Sequence, residues 1–195
     1  MAKLCLGGSF NPIHYGHLIC ARAAAEAMGA DGVVLIPTAV PPHKREDMEI
    51  ASPLHRLEMC RRAVQHNAFF DVDDREIRRG GPSFTILTVR ELHSQGWPLV
   101  PWLIGADMLN TLPNWHEAQS LLTEAQFVVM ARPGWTLDWN SLPPAYAKLK
   151  EGVVLVPQID ISATDIRQRV KNNRPIDFLT PPEVVKYVLE HNLYR

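Results

Sequence analysis

Residues 3 to 36 restrict the fold more than any other stretch of the chain. Lys3 to Leu6 is a short apolar run ending in Gly7-Gly8, Gly16 to Met28 carries an Ala-rich helical pattern, and Val33-Val34-Leu35-Ile36 is a second apolar run closed by Pro37. Short β-branched runs suit central parallel strands, and Gly29 is placed to end the helix between them. Two parallel neighbours need a crossover, so strand, helix, strand in so short a span predicts an α/β protein.

The alternation continues. Ser52 with Pro53 behind it predicts a helix start, with Leu54, Leu57, Cys60 and Val64 as the apolar stripe. Phe69 to Val72 reads as a strand and Asp73 to Arg79 as a connector whose charges form a solvated face. Gly80-Gly81-Pro82-Ser83 reads as a turn and cap before a helix that ends at Gly96. Leu99 to Ile104 is the next central strand, with Pro101 better suited to its beginning than its middle, and it delivers Gly105-Ala106-Asp107. Two short helices around Trp115 follow, then strands at Phe127 to Met130 and Val153 to Val156. Between them Arg132-Pro133-Gly134 is an exit turn and Leu137 to Lys150 a loop with a short helix. Ile161 to Lys171 and Pro181 to His191 are helices. The expectation is one domain, residues 1–195, built on a doubly wound, mostly parallel, Rossmann-like sheet with a small C-terminal helical part from about 161. Ligands of such sheets bind beyond the carboxyl ends of the strands.

Charge narrows the function. Lys and Arg number 20 against 21 Asp and Glu, a formal net charge of −1, without the basic excess of a nucleic-acid binder. Any anionic ligand must therefore be held by local groups. Cys5, Cys20 and Cys60 lack metal-type spacing and read as reduced thiols of a cytoplasmic protein. No apolar run approaches a membrane span, and none near Met1 is long enough for export.

The stretch from Gly7 to His17 carries the chemistry. Glycines let a backbone approach an anion, a helix starting near Gly16 offers free N–H groups, and His14 and His17, three apart, share one side of its first turn. Two histidines are an incomplete zinc site, and no third ligand has suggestive spacing, so no protein-bound metal is expected. The stretch is neither a Gly-x-Gly-x-x-Gly dinucleotide turn nor a Gly-x-x-x-x-Gly-Lys-Ser/Thr loop, which weakens oxidoreductase and kinase readings.

Gly8-Ser9-Phe10-Asn11-Pro12-Ile13-His14-Tyr15-Gly16-His17 resembles the (T/S)-F-D-P-x-H-x-G-H signature of the nucleotidyltransferase superfamily, and Ile161-Ser162-Ala163-Thr164-Asp165-Ile166-Arg167 resembles its second box, I-S-S-T-x-I-R. Asn11 stands where Asp is usual and Ala163 where the second Ser is usual. With Pro41-Pro42-His43-Lys44, Gly81-Pro82-Ser83-Phe84-Thr85, Ile104-Gly105-Ala106-Asp107 and Asn114-Trp115, nearly the whole chain resembles the bacterial nicotinate mononucleotide adenylyltransferases.

That resemblance implies transfer of AMP from ATP to nicotinate mononucleotide, with Mg²⁺ riding on the triphosphate. His14 and His17 would stabilise charge on the ATP phosphates, and Gly8, Ser9, Phe10, Gly105, Asp107, Arg132, Ser162, Thr164 and Arg167 would bind the rest of ATP. Lys44 and Arg45 would meet the mononucleotide phosphate, Trp115 the nicotinate ring and Thr85 its carboxylate. The sequence leaves open a sister enzyme acting on nicotinamide mononucleotide or phosphopantetheine, and a silent nucleotide sensor.

Overall fold

The computed structural model describes residues 3–42, 50–134, 136 and 138–195. Its elements run in the expected alternation: β1 (Leu4–Gly8), α1 (Tyr15–Ala27), β2 (Val33–Pro37), α2 (Pro53–Val64), β3 (Phe70–Val72), α3 (Arg75–Arg79), α4 (Thr85–Ser94), β4 (Pro101–Gly105), α5 (Ala118–Glu124), β5 (Gln126–Ala131), β6 (Val153–Leu155), α6 (Ala163–Lys171) and α7 (Pro182–Glu190). Short 3₁₀ turns cover Ala106–Met108, Leu112–Asn114, Trp139–Ser141 and Pro144–Gly152.

The strands form one sheet in the order β3-β2-β1-β4-β5-β6, and every neighbouring pair is parallel. The chain thus winds outward from β1 to one edge, returns, and winds outward from β4 to the other. Between β1 and β4 no crossover closes the carboxyl edge, which leaves a crevice there.

Both faces are covered, and the pleat says by what. Alternate residues of a strand point to opposite sides. Leu4, Leu6, Leu35, Leu103 and Val128 join Ala21, Ala24, Ala25, Met59, Cys60, Ile166, Val184 and Val188, so α1, α2, α6 and α7 lie on one face. Cys5, Val34, Ile36, Trp102, Ile104 and Val129 join Ile86, Val89, Leu92, Leu121, Leu122, Tyr146 and Leu149 on the other. Each fully buried Val, Ile or Leu contributes about 1.5–3 kcal/mol relative to exposure. The Ala face of α1 lets that helix lie close to the sheet. Its end is a Schellman turn, with Gly29 at φ +62°, its N–H on the Glu26 carbonyl at 3.2 Å and the Ala30 N–H on the Ala25 carbonyl at 2.9 Å.

Three expectations need correction. Leu54 is 69% exposed and does not belong to the buried stripe of α2, whose inner side holds Arg56, Leu57, Met59, Cys60 and Val64 instead. The Asp73–Arg79 connector is not a solvated face: it contains α3, and Arg75 and Glu76 are buried. Ser83 does not cap α4, because Phe84 occupies the N-cap; the Ser83 hydroxyl is buried and accepts the Ala39 N–H at 2.8 Å. Pro101 does open its strand, where its missing N–H costs least. Among the described residues no helix is long and apolar enough to cross a membrane.

Candidate functional site

Two cavities open at the crevice between β1 and β4, of about 410 and 530 Å³. They share Leu6, Gly105 and Met108 as common wall and otherwise differ in chemistry. The smaller is walled by Phe84, Trp102 and Trp115, the larger by His14, His17, Arg132 and Ser162.

The turn after β1 is held from several directions. Asn11, 1% exposed, accepts the Ala51 N–H at 3.0 Å and the Tyr194 hydroxyl at 2.8 Å on Oδ1. Its carbonyl accepts Arg167 Nη1 at 2.8 Å, and the Ile13 carbonyl accepts the Thr180 hydroxyl at 2.7 Å. The Asn11–Pro12 peptide is cis. Phe10 sits at φ +43°, a strained conformation for a residue with a Cβ, and its ring is buried edge-on to His17 at 5.2 Å. The glycines before it serve this packing as well as any ligand. A Cβ on Gly7 would lie 2.6 Å from the Trp102 ring, and one on Gly8 would lie 3.0 Å from the Phe10 ring.

His14 is the N-cap of α1, which begins at Tyr15, one residue earlier than the glycine suggested. The two imidazoles are stacked, with centroids 3.7 Å apart and planes 29° from parallel. Gly16 permits this, because a Cβ there would press on the His14 ring at 3.0 Å. The His14 N–H donates to His17 Nδ1 at 3.3 Å, so neutral His17 carries its proton on Nε2. Burial pushes His14 down to about 4 and His17 well below its ordinary value, with the neighbouring His14 adding to the effect on His17. Two stacked, desolvated imidazoles are therefore neutral near pH 7, poised to donate rather than to carry charge. His14 Nδ1 is sealed from solvent, and the His14 side chain faces the His17 backbone N–H as in a capping box.

Around the larger cavity the structure brings His14, His17, Gly105, Asp107, Arg132 and Ser162 together. Ser162 also caps α6, accepting the Asp165 N–H at 3.0 Å. Phe10, Thr164 and Arg167 line neither cavity. Arg167 spends Nη1 on the Asn11 carbonyl and Nη2 on the Thr164 hydroxyl at 3.2 Å, so it ties the second sequence box to the first. Among the described residues no three His, Cys, Asp or Glu side chains are grouped to hold a metal ion, and Asp107 is the one carboxylate in the larger cavity's wall. That donor set does not suit a resident cation, which would need several oxygen ligands.

The smaller cavity holds Gly8, Ser9, Thr85 and Trp115, together with residues that the sequence reading did not single out for the site. His116 stacks on Phe84 at 4.2 Å and 24°, forming an aromatic wall beside Trp115. Glu76, 2% exposed, accepts the Thr88 hydroxyl at 2.6 Å on Oε1, with Arg79 at 4.0 Å; burial pushes its carboxyl up despite these partners. Phe84 and Ser83 stand in the stretch that announced Thr85, which was the available signal. Lys44 and Arg45 lie outside the described residues.

Arg56, at 0% exposure, was missed altogether. Its signal was a charge four residues before the core Cys60, on the inner side of α2.

The cytidylyltransferase-like family model matches residues 5–169. A protein of Roseiflexus sp. strain RS-1 named "Probable nicotinate-nucleotide adenylyltransferase" is 45% identical over 192 residues, 97% of this chain and 96% of that one. A like-named protein of Herpetosiphon aurantiacus is 38% identical, with 97% and 96% of the two chains covered. The fold is similar to that of Plasmodium falciparum nicotinic acid mononucleotide adenylyltransferase complexed with NaAD, with a TM-score of 0.72 at 19% identity over 100% of this chain and 98% of that chain.

Proposed function

We propose a reaction on a plain premise: this chain belongs to the cytidylyltransferase-like family and, within it, to the nicotinate-nucleotide adenylyltransferases. It transfers the AMP group of ATP to the phosphate of nicotinate mononucleotide, giving nicotinate adenine dinucleotide and pyrophosphate in the synthesis of NAD. The observation that carries this reading is the pair of unlike cavities meeting at Gly105, one lined by stacked histidines and one by aromatic rings.

ATP takes the larger cavity and the mononucleotide the smaller. An oxygen of the acceptor phosphate forms a bond to the α-phosphorus while the bond to the bridging oxygen breaks, and pyrophosphate leaves with the electron pair. The attacking phosphate is already largely anionic near pH 7, so no general base is required. What the site must supply is alignment and fixed donors. His17, with its proton on Nε2, and His14 donate to the ATP phosphates. Ser162 and the Gly105–Asp107 turn hold other polar parts of ATP, with Arg132 at the cavity's rim. Arg167 and Thr164 act from behind, through the turn they support. Trp115, Phe84 and His116 offer faces for the pyridine ring, Thr85 lies beside its carboxylate, and Lys44 and Arg45 take the acceptor phosphate.

Nucleotidyltransferases of this kind take their triphosphate with a divalent cation. Here Mg²⁺ enters as part of the substrate, held by the triphosphate oxygens. Three free cysteines, and the need for ATP, support a cytoplasmic setting.

The test is pyrophosphate release from ATP with each acceptor in turn. Nicotinate mononucleotide is expected to give the highest kcat/KM; a preference for phosphopantetheine or nicotinamide mononucleotide overturns the assignment.

A further inference from the structure

Phe178 is the most exposed large apolar side chain among the described residues, at 91%. It lies in the 172–181 segment between α6 and α7, at φ +64°. A residue with a Cβ rarely takes that conformation, and where it does the surroundings hold it there. Phe10 and Tyr194 are aromatic residues that also sit at positive φ, and both are buried: the Phe10 ring packs on His17, and the Tyr194 hydroxyl is on Asn11. Phe178 bears the same backbone strain with its ring exposed.

A loose chain does not explain the exposure. Ile176, two residues before, is 2% exposed, and its carbonyl accepts the Leu179 N–H at 3.2 Å. The Leu179 carbonyl accepts the Tyr15 N–H at 3.1 Å, and the Thr180 hydroxyl donates to the Ile13 carbonyl at 2.7 Å. The chain is thus fastened on both sides of Phe178, and the ring is a fixed knob.

Beside the knob lies a hole. Val170, Ile176, Val185 and Leu189 line a cavity of about 400 Å³ together with Arg174 and Asp177, the residue that precedes Phe178. Among the described residues neither the Arg174 nor the Asp177 side chain has a hydrogen-bond or ion-pair partner, whereas nearby Arg169 is paired with Asp165 at 2.9 Å. Arg195, also at the cavity, is engaged by Asn192 Oδ1 at 2.8 Å. An apolar knob, an apolar hole, a free cation and a free anion therefore share one patch. A two-fold interface sets the same patch of two chains face to face, each residue i on residue j of the other, and so requires this kind of self-complementarity.

We propose that this patch is the interface of a two-fold dimer of this chain: Phe178 of each protomer seats in the cavity lined by Val170 and Leu189 of the other, and Arg174 of each faces Asp177 of the other. A foreign partner would have to bring a matching hole and matching charges, whereas one chain here carries both halves. A stable interface buries about 800 Å² per partner, more than one ring, and the outer side of α7 continues the patch, with Leu189 48% exposed. No residue of the 172–181 segment lines either cavity of the catalytic crevice, so each protomer keeps a whole site.

The experiment is sedimentation velocity with light scattering on the full chain from about 1 to about 100 μM. It compares the parent with Phe178→Asn, Arg174→Asp, Asp177→Arg and the double charge reversal. Asparagine tolerates positive φ, so Phe178→Asn removes the ring while relieving the backbone. The parent is expected to be a dimer in this range. Phe178→Asn should raise the dissociation constant about a hundredfold or more, with kcat for dinucleotide formation within about threefold of the parent. Each single reversal should weaken the dimer at least about tenfold, since two like-charge contacts replace two ion pairs. The double reversal should return it to within about threefold of the parent. The charge variants, on exposed side chains, carry the test if Phe178→Asn does not fold. A parent that is monomeric throughout, a dimer that Phe178→Asn leaves intact, or a double reversal no tighter than its singles overturns the proposal.

Discussion

The two cavities on either side of Gly105 are built in opposite ways. The heart of the larger comes from one contiguous run of sequence, His14 to His17, whose imidazoles stack because they are one helical turn apart with a glycine between. The smaller gathers Ser9, Thr38, Glu76, Phe84, Thr85 and Trp115 from across the first two-thirds of the chain. Phosphate handling needs closely spaced donors of fixed direction, which a single turn can supply. Recognition of a flat ring needs walls, which no single turn can supply. The first cavity is accordingly visible as one motif, the second only as scattered pieces such as Thr85 and Trp115.

Their buried titratable groups also differ in sign. Folding depresses His14 to about 4 from 6.5, whereas it raises Glu76 above its ordinary 4.5. One cavity therefore resists acquiring a positive charge and the other resists acquiring a negative one, each because burial removes water from the charged form.

The largest expected effect falls on the histidine side. His17→Ala should lower kcat by about a hundredfold or more, as loss of a preorganised donor does, while leaving the KM for nicotinate mononucleotide within about threefold. Steady-state kinetics with each substrate varied in turn check this, and a variant within tenfold of the parent removes His17 from the transfer step.

Next comes the dependence of stability on pH. The unfolded chain takes up a proton on His14 near pH 6.5, and the folded chain refuses it until about pH 4. Between those values the unfolded state binds more protons, so stability falls as pH falls, by up to about 3 kcal/mol from His14. His17 adds in the same direction. Glu76 acts oppositely: its contribution is fully present below pH 4.5 and is lost as pH rises through its folded value. Denaturant melts from pH 7 to pH 4 should show the histidine slope flattened in His14→Gln, whereas Glu76→Gln should gain relative to the parent as pH rises. Equal slopes in all three chains would erase the contrast between the cavities.

The smallest effect is on the aromatic side. Trp115→Ala should raise the KM for nicotinate mononucleotide by roughly threefold to tenfold, corresponding to about 0.5–1.5 kcal/mol of ring contact, with the KM for ATP unchanged. A rise in the KM for ATP instead would place the adenosine against Trp115 and reverse the assignment of the two cavities.

Most of the fold was legible because its signals are local. Val33 to Ile36 and Phe127 to Val129 are buried and so read as continuous apolar runs, and the glycines at 29 and 96 mark helix ends through φ values that they adopt freely. Leu54 misled because helical spacing says which residues share a side, not whether another element covers it. The charges from Asp73 to Arg79 misled for the converse reason. Glu76 is polar and nonetheless buried, because Thr88 and Arg79 reach it from within the fold.

By itself the sequence determined the alternating parallel architecture, the histidine turn, the capped second box and hence the class of chemistry, since each depends on residues within a few positions of one another. Tertiary structure alone decided how these are joined. It set Arg167 behind the first box rather than in a cavity, enclosed Asn11 between Ala51 and Tyr194, and placed Arg56 beneath the turn with all its donors spent on the chain. The physical reason is that a buried polar group is specified by its partners, and here most of those partners lie 17 or more residues away. Spacing along a chain cannot carry that information; the packing of β1, β2 and α2 does.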